Sequence, residues 1–337
     1  MKEFLRFIQK TITAKRLTNA LLVYIGFYFS RFFKSTKPWG MPISLSIEPT
    51  TACNLGCPEC PSGLKKFSRE TGNLKAENFN RWLNQLAPTL SYLNFYFQGE
   101  PFIHNEILQF ISKASAVGIY TSTSTNAHFI TEKKAEEIVR SGLDRILISI
   151  DGTTQEVYEQ YRVHGSLQKV LEGTKHLVQA RKKLQSKTPH IVFQFLVVRP
   201  NEHQIEEAKE LANEFQVDEI RFKTAQVYDY ENGNPLIPTL EKYSRYKRMP
   251  NGKFKVKSSL ENHCWRMWSG AVVTWDGKVV PCCFDKDATH EMGNLSKEDF
   301  KSIWKGKIYS QFRSQLLKGR KEIDICKNCS EGTKVWA

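Results

Sequence analysis

The stretch "CNLGCPEC" at residues 53–60 lies directly after "ISLSIEP" at residues 43–49, and this junction indicates how the rest of the chain folds. The composition of residues 43–49 predicts a short β-strand, so the cysteines lie in the loop that follows it. Cys53, Cys57 and Cys60 have the spacing C-x3-C-x2-C. Three cysteines are one ligand short of a closed tetrahedral metal site. The loop therefore predicts a metal centre with one open position.

The composition is that of a globular protein. The chain has 337 residues, of which 40% are hydrophobic, enough for one large domain or for one domain and a smaller one. Its eight cysteines bunch in close pairs, and no secretory signal with a small-residue cleavage site is found. We therefore expect metal binding or catalysis in a reducing, cytoplasmic compartment, and not a disulfide framework.

The positive charge is concentrated at the N-terminus. The formal net charge is +14, and residues 1–38 carry eight basic residues and one acidic residue, a net +7. The rest of the chain is only mildly basic for its size. A basic patch of the kind that tracks nucleic acid is not predicted, so we expect no nucleic-acid partner.

The N-terminal segment, residues 1–40, combines this charge with an apolar stretch, "ALLVYIGFYFSRFF" at 20–33. The apolar run stops at Ser30 and Arg31, and is shorter than the ~20 residues that span a bilayer. An aromatic-rich helix flanked by Lys and Arg predicts peripheral contact with a membrane surface. The alternatives are a helix packed on the body of the protein and a helix that binds a partner protein.

Six strand–helix units follow this segment. Helical spacing of apolar residues occurs between successive strands, which predicts parallel pairing with right-handed crossovers. We expect a partial (βα)6 barrel of the α/β class, with its chemistry at the C-terminal ends of the strands. The alternative is an open doubly wound sheet; no G-x-G-x-x-G follows the first strand, which argues against a dinucleotide fold. The predicted strands are 43–49, 92–98, 119–125, 145–150, 190–198 and 219–225, and the predicted helices lie near 77–87, 105–117, 131–141, 166–185 and 202–215.

The chemistry of the cysteine loop favours iron over zinc. Three thiolates can hold three irons of a [4Fe–4S] cluster, which leaves the fourth iron free to bind a ligand that is not protein. A structural zinc would need a fourth Cys or His nearby. The nearest histidine in sequence, His104, follows the second strand and is poorly placed to close the loop.

A C-x3-C-x2-C loop after a first barrel strand resembles the radical S-adenosylmethionine (radical SAM) superfamily, and the resemblance covers residues 43–337. It implies that the open iron binds SAM, that reductive cleavage gives a 5′-deoxyadenosyl radical, and that this radical abstracts hydrogen from a substrate. It also implies a flavodoxin-like or ferredoxin-like electron donor. Glu59 stands where the family usually has an aromatic residue that touches the adenine of SAM.

The same resemblance implies a set of SAM-facing residues at the ends of strands two to four. Gln98-Gly99-Glu100 resembles the G-G-E motif, with Gln98 in place of the first glycine. Arg162 resembles an arginine that pairs with the SAM carboxylate, for which a guanidinium fork is well suited. Simpler alternatives are a solvated charge at Arg162 and a turn residue at Asp151. The implied SAM-binding residues are Gln98, Gly99, Glu100, Asn126, Ser149, Asp151 and Arg162.

A second group of cysteines follows residue 250. The stretch 270–284, "GAVVTWDGKVVPCCF", predicts a hairpin that turns at Asp276-Gly277. Four thiolates would suit either zinc or a fully ligated iron–sulfur cluster, and the residues alone leave that choice open. The cysteines of this group are Cys264, Cys282, Cys283, Cys326 and Cys329.

The stretches "DGKVVPCC", "MGNLSKEDFKSIW" (292–304) and "CKNC" resemble the SPASM/twitch extension of radical SAM enzymes. This resemblance implies one auxiliary [4Fe–4S] cluster, with zinc as the alternative, and leaves Cys283 as a buried free thiol. The implied ligands are Cys264, Cys282, Cys326 and Cys329. We expect an N-terminal segment at 1–40, a radical SAM partial barrel at 41–250 and an auxiliary iron–sulfur domain at 251–337.

The expected function is that of a radical SAM enzyme, an oxidoreductase or C–H functionalising enzyme acting on a small-molecule or lipid-linked substrate. The alternatives are a peptide or protein maturase of the SPASM class and a non-catalytic iron–sulfur electron carrier or scaffold. The catalytic base is not assigned. Lys223 at the end of strand six and Asp285 near the auxiliary cysteines are the candidates considered.

Overall fold

The computed structural model describes residues 2–335. The strands are β1 (Ser44–Ile47), β2 (Tyr92–Asn94), β3 (Tyr120–Thr125), β4 (Arg145–Ser149), β5 (His190–Val197), β6 (Glu219–Thr224), β7 (Tyr246–Arg248), β8 (Phe254–Val256), β9 (Gly270–Val273), β10 (Lys278–Val280) and β11 (Gly293–Asn294). The helices are α1 (Lys2–Thr11), α2 (Ala14–Phe33), α3 (Pro61–Leu64), α4 (Ala76–Leu86), α5 (Ile107–Ala116), α6 (Glu132–Arg140), α7 (Gln155–Tyr161), α8 (Leu167–Lys183), α9 (Ile205–Glu214), α10 (Arg266–Ser269), α11 (Phe300–Lys305), α12 (Lys307–Gly319) and α13 (Asp324–Lys327).

Strands β1 to β6 pair in parallel and in sequence order, as the alternating pattern predicts. The helices between them supply the crossovers. A parallel sheet covered by helices buries both faces of its strands, and β5 accordingly has buried or half-buried side chains throughout. The partial-barrel prediction is confirmed, and each of the six predicted strands exists within four residues of its expected bounds.

The sheet is larger than the sequence indicates. Strand β9 pairs in parallel with β1, Ser44 opposite Gly270, and β10 and β11 continue the sheet in the antiparallel sense. The predicted hairpin at 270–284 therefore forms and also extends the barrel sheet to nine strands in the order β11-β10-β9-β1-β2-β3-β4-β5-β6. This join places Cys282 and Cys283 at a cavity that β1 also lines, and Cys283 at the cavity that Cys53, Cys57 and Cys60 line.

The N-terminal helices α1 and α2 cover the end of the barrel at which the strands begin. Arg16 donates to the carbonyls of Ala87 and Val117, both at 2.9 Å, just before β2 and β3. Lys10 pairs with Asp144, just before β4, at 2.5 Å. The segment therefore packs on the body of the protein, which was one of the alternatives drawn from sequence. No helix among residues 2–335 is long and apolar enough to cross a membrane.

The fourth interval contains two helices, α7 and α8, where the sequence predicts one long helix near 166–185. Ser166 begins α8 by accepting a hydrogen bond from the backbone N–H of Lys169, and Thr154 caps α7 in the same way through Val157. Gly165 lies in the turn between them, and a Cβ there would approach the Arg162 carbonyl oxygen to 2.6 Å. This close turn holds Arg162 at the end of α7, where it faces the cysteine loop.

Candidate active site

The loop after β1 brings the three cysteines together at the C-terminal end of the barrel. Cys57 is buried, and Cys53 and Cys60 are half-buried. The Cys60 N–H donates to the Cys57 carbonyl at 3.2 Å, and α3 begins directly after Cys60. Gly63 packs tightly beneath the loop, because a Cβ there would lie 2.6 Å from the Cys57 nitrogen. Backbone contacts therefore hold the loop in this conformation.

The electrostatics of these sulfurs suit a bound metal centre. Burial raises the pKa of Cys53 to about 12, and burial also raises the pKa of Cys57. A buried thiol with a raised pKa gives up its proton when a metal ion binds it. No histidine lines the cavity in front of the three sulfurs, within the part of the chain that the structure describes. The donor set thus fits a cluster held by three thiolates with one open position.

The turn at the end of β2 packs directly against the cysteine loop. Gly99 has φ +75°, and a Cβ at this position would lie 2.3 Å from the Thr50 carbonyl oxygen. Its N–H donates to the Ser62 hydroxyl at 2.9 Å, and the next N–H, of Glu100, donates to the Ala52 carbonyl at 2.8 Å. Glycine is required here both by the left-handed conformation and by the close approach.

Glu100 is a buried carboxyl at the floor of the cavity. It accepts hydrogen bonds from the Thr125 hydroxyl and the Asn126 N–H, each at 2.7 Å. Burial raises the pKa of Glu100 to about 7, although these hydrogen bonds favour its ionised form. The Asn126 side chain in turn donates to Asn54, between the first two cysteines, at 2.8 Å. The ends of β2 and β3 are thereby tied to the cysteine loop.

Arg162 links the end of β4 to the cysteine loop. Its Nε donates to Asp151 at 2.5 Å, and its Nη1 lies 3.7 Å from the sulfur of Cys57. Burial alone would lower the pKa of Arg162, but the carboxylate of Asp151 holds it well above its ordinary value. Asp151 also accepts from the Leu196 N–H at 2.6 Å. It is fully buried, so it orients Arg162 from behind.

The sequence implies seven SAM-binding residues, and six of them line one cavity together with the three cysteines. This cavity has a volume of about 250 Å³. Asp151 is the exception, since it lies behind Arg162. A deeper cavity of about 350 Å³ inside the barrel shares Lys223 and Cys283 with the first. The six residues that line the cavity are Gln98, Gly99, Glu100, Asn126, Ser149 and Arg162.

Glu59 stands where the family usually has an aromatic residue, and its surroundings in this structure are polar. Its carboxylate accepts the Tyr228 N–H at 2.9 Å. The ammonium of Lys286 lies over the Tyr228 ring, 4.6 Å from its centroid, and donates to the Glu59 carbonyl at 3.3 Å. Burial raises the pKa of Glu59 and lowers the pKa of Lys286. Glu59 and Lys286 thus form a polar pair beside Cys60.

The four auxiliary cysteines lie close enough to one another to interact electrostatically, and their neighbour Cys283 lines the same cavity. Cys264, Cys326 and Cys329 are buried and Cys282 is half-buried. Each of the pKa values of Cys282, Cys326 and Cys329 is raised, first by burial and also by the neighbouring thiols. Such a closed set of four sulfurs fits a fully ligated cluster. Cys283, expected to be buried, is instead exposed within the cavity.

The structure also assigns positions to residues that sequence reasoning missed or misjudged. Arg320 is buried and donates to the sulfur of Cys329 at 3.3 Å, and no motif in the sequence distinguishes it from a surface arginine. Arg245 lines the cavity and was also missed. Lys223 points into the cavity as expected. Asp285 does not line it, because its carboxylate accepts bonds from Thr289 and the His290 N–H within its own loop.

The comparisons with known proteins agree with this arrangement. Residues 47–220, just over half of the chain, match the family model described as the Radical SAM superfamily. Residues 264–330 match the model described as SPASM, an iron–sulfur cluster-binding domain. The chain belongs to the radical SAM superfamily. It is a radical SAM enzyme of the SPASM type, and its cofactors are SAM, a SAM-binding [4Fe–4S] cluster and an auxiliary [4Fe–4S] cluster.

Several solved structures share the fold at low identity. BtrN in complex with AdoMet and 2-DOIA is 18% identical, with a TM-score of 0.56, over 88% of this chain and 95% of that one. SuiB from Streptococcus suis bound to S-adenosylmethionine is 16% identical, with a TM-score of 0.64, over 88% and 73%. Native anSMEcpe with bound AdoMet is 15% identical, with a TM-score of 0.58, over 86% and 88%. At these identities the likeness supports the fold alone.

Proposed function

We propose that this enzyme binds SAM in the 250 Å³ cavity, with Cys53, Cys57 and Cys60 as the ligands of the SAM-binding cluster. When bound there, the cluster supplies the electron that cleaves SAM to the 5′-deoxyadenosyl radical. The observation that carries this proposal is that the three sulfurs and six SAM-facing residues line one cavity, whose far wall holds Cys283 and Glu331 near the auxiliary cysteines.

The roles proposed for the surrounding residues come from the family resemblance, and their positions in the cavity support them. The backbone at Gln98-Gly99 and the carboxylate of Glu100 receive the amino group of SAM. Arg162, oriented by Asp151, receives the carboxylate of SAM with two parallel N–H donors. Asn126 and Ser149 line the same cavity and complete the polar wall. These groups hold SAM in one orientation and exclude water from the sulfonium.

We further propose that Cys264, Cys282, Cys326 and Cys329 hold the auxiliary cluster, which would supply an electron acceptor for a net two-electron oxidation of the substrate. The sulfurs are buried, and Arg320 donates a charge-assisted hydrogen bond to one of them. The division into a segment at 1–40, a barrel at 41–250 and a cluster domain at 251–337 is part of the same proposal. The electron donor is of the flavodoxin or ferredoxin type.

The substrate is proposed to be a small or lipid-linked molecule, with a peptide as the second candidate. The neighbouring structures contain both kinds: BtrN is bound to 2-DOIA, SuiB to the precursor peptide SuiA, and anSMEcpe to the Kp18Cys peptide. The two connected cavities, of about 250 and 350 Å³, favour a compact substrate group here.

The test of the SAM proposal uses full-length protein reconstituted anaerobically with iron and sulfide. With SAM and dithionite we expect release of 5′-deoxyadenosine. When SAM is added to dithionite-reduced protein and the sample is frozen at once, we expect a change in the EPR spectrum of the reduced cluster. A fully loaded protein that gives neither result would contradict the proposal and favour an electron carrier or scaffold.

We also propose that α1 and α2 lie against an anionic membrane surface. Twelve of the eighteen large apolar side chains exposed in the described chain lie between Phe4 and Trp39. Phe32 and Phe33 are 73% and 71% exposed, while Val23 and Phe27 on the opposite face of α2 are buried. Lysines and arginines flank the exposed face, and such a face combines apolar insertion with attraction to anionic lipid headgroups.

Vesicle flotation tests the membrane proposal. The double variant Phe32→Glu, Phe33→Glu should weaken binding to phosphatidylglycerol-containing vesicles more than tenfold, because burying each ring contributes roughly 1.5–3 kcal/mol. The matched control, Leu240→Glu with Ile308→Glu, alters two exposed apolar residues elsewhere and should bind as wild type does. Equal flotation of all three proteins would contradict the proposal. Deleting residues 1–38 is a poorer test, because it would uncover the barrel end beneath α2.

A further inference from the structure

The wall of the cavity between the two cysteine sites carries three cationic side chains from three separate elements. Lys223 projects from the end of β6, Arg245 lies just before β7, and Lys286 follows the auxiliary hairpin. Lys286 and Arg245 are close enough that their charges repel, and Lys223 lines the same cavity. Like charges from independent elements are unfavourable when they converge unless an anion joins them.

Arg245 is the central residue of this group. It is only 8% exposed. Its Nη1 donates to the Asn328 carbonyl at 3.2 Å, and its Nη2 donates to the Thr224 carbonyl at 3.5 Å. Its Nε has no hydrogen-bond partner, and among residues 2–335 no carboxylate pairs with its guanidinium. A buried charge without a counter-ion is costly, so the site is incomplete as it stands.

The two lysines differ in how far their charge is already matched. Lys223 is exposed to both cavities and makes no hydrogen bond or ion pair with any residue that the structure describes. Lys286 already has the Glu59 carbonyl and the Tyr228 ring as partners. Arg245 has two backbone carbonyls and the Phe284 ring, whose centroid lies 5.7 Å from its guanidinium carbon, but no carboxylate. Lys223 and Arg245 therefore have no anionic partner among the residues that the structure describes.

The acidic residues of the same wall are already engaged. Glu59 accepts the Tyr228 N–H, and Glu331 pairs with Arg266. Glu100 also lines the cavity, accepts hydrogen bonds from Thr125 and Asn126, and is the group proposed above to receive the amino group of SAM. None of these carboxylates forms an ion pair with Lys223 or Arg245 in the described chain, so the wall keeps an excess of positive charge.

We propose that Lys223 and Arg245 form a binding site for an anionic oxygen group of the substrate, a carboxylate or a phosphate. This inference rests on the proposed function, since it assumes that the substrate enters the cavity beside SAM. Arg245 offers a rigid, planar set of donors, and Lys223 adds a mobile point charge from the end of β6. The site lies between the two groups of cysteines, so an anionic anchor there holds the rest of the substrate within reach of both.

The competing role for Arg245 is to stabilise the charge of the auxiliary thiolates. Arg320 already contacts the sulfur of Cys329, whereas Arg245 contacts the carbonyl of Asn328 and no sulfur. The two roles predict different results when Arg245 is changed. A substrate-binding arginine controls anion affinity, and a cluster-supporting arginine controls the reduction potential of the auxiliary cluster.

The test measures the binding of inorganic phosphate and of acetate to the reconstituted full-length protein, by calorimetry at constant ionic strength set with chloride. The variants are Lys223→Gln, Arg245→Gln and the double variant. The matched control is Lys247→Gln, which removes one exposed positive charge on β7 outside the cavity. Losing one charge-assisted hydrogen bond should weaken anion binding about tenfold or more.

Saturable binding of either anion to wild type that weakens in Lys223→Gln and Arg245→Gln, but not in Lys247→Gln, supports the site. Tighter phosphate points to a phosphorylated substrate and tighter acetate to a carboxylate. The anion site is overturned if wild type shows no saturable binding, or if all variants bind the anions equally. It is also overturned if Arg245→Gln shifts the reduction potential of the auxiliary cluster while its anion binding is unchanged. Because Lys223 is exposed, its variant keeps the test valid even if Arg245→Gln misfolds. Whether wild type cleaves SAM is a separate measurement, so the two proposals can fail independently.

Discussion

The two cysteine sites are built in different ways. The first takes three sulfurs from residues 53–60, a single loop whose shape is fixed by β1 before it and α3 after it. The second takes its sulfurs from Cys264 before α10, Cys282 after β10, and Cys326 and Cys329 around α13. The first site is therefore local in sequence, whereas the second exists only when three distant segments have come together.

This difference has consequences for folding. A preformed loop loses little order when its metal leaves, whereas a site assembled from distant segments couples metal binding to the folding of those segments. The first site should thus be dispensable for stability but required for SAM chemistry. The second should contribute to stability and be dispensable for SAM cleavage itself.

The largest effect is expected from Cys57→Ala, which removes one of the three ligands of the loop. Iron content should fall from about eight to about four atoms per chain, because two [4Fe–4S] clusters become one. Release of 5′-deoxyadenosine should fall to background, while the melting temperature changes little. Iron analysis, product analysis and calorimetry measure these three quantities. Continued SAM cleavage by this variant would show that the loop is not the SAM-binding site.

Cys326→Ala should produce the opposite profile. Iron should again fall to about four atoms per chain, but SAM cleavage without substrate should persist. The melting temperature should fall further than in Cys57→Ala, because α13 is no longer tied to the hairpin by a shared cluster. Cys283→Ala is the control and should retain all the iron, since this thiol is a fifth cysteine exposed in the cavity. A greater loss of stability in Cys57→Ala than in Cys326→Ala would contradict the contrast.

The local features of the molecule were predictable from the sequence. The cysteine spacing and the strand–helix alternation are short-range patterns, so β1 to β6, the hairpin and the position of the open metal site follow from them. Gly99 was singled out by its resemblance to the G-G-E motif, and the structure shows the turn that requires a glycine there. The site residues that end strands were implied by the family resemblance, which agrees with the rule that the carboxyl ends of parallel strands meet.

The features that depend on tertiary packing could not be predicted. The pairing of β9 with β1 joins residues more than 200 positions apart, and no sequence period records it. No motif marks the basic residues Arg245, Lys286 and Arg320. Only the fold shows that Arg245 and Lys286 line the cavity and that Arg320 contacts the sulfur of Cys329. The N-terminal segment could be interpreted in several ways, because packing on the barrel and exposure of an apolar face are both compatible with its composition.

A smaller effect is expected from Gly99→Ala. A Cβ at Gly99 meets a backbone oxygen at 2.3 Å in addition to the strain of φ +75°. Gly252→Ala is a matched control, since Gly252 has φ +80° and no atom within 4 Å of the added Cβ. Left-handed strain costs about 1 kcal/mol in both variants, and the clash adds about 1–3 kcal/mol in the first.

Urea unfolding of the apoproteins measures the free energy of unfolding of the two glycine variants. This free energy should be higher for Gly252→Ala than for Gly99→Ala. SAM affinity of the loaded proteins should fall for Gly99→Ala alone, because its turn packs on the cysteine loop. Equal free energies of unfolding for the two variants would mean that the loop can move away from the added methyl group. That result would count against a rigid first site.

The smallest effect should come from the arginines that contact sulfur in the two sites. Arg162→Lys keeps the charge but loses the planar fork, so SAM should bind about tenfold more weakly, or about 1.4 kcal/mol. Asp151→Asn should act in the same direction, since Asp151 orients Arg162 and does not line the cavity. Arg320→Lys should instead shift the reduction potential of the auxiliary cluster. If Arg320→Lys weakened SAM binding as much as Arg162→Lys does, the two sites would have to be coupled through the cavity wall, and their separation into a local and an assembled site would be wrong.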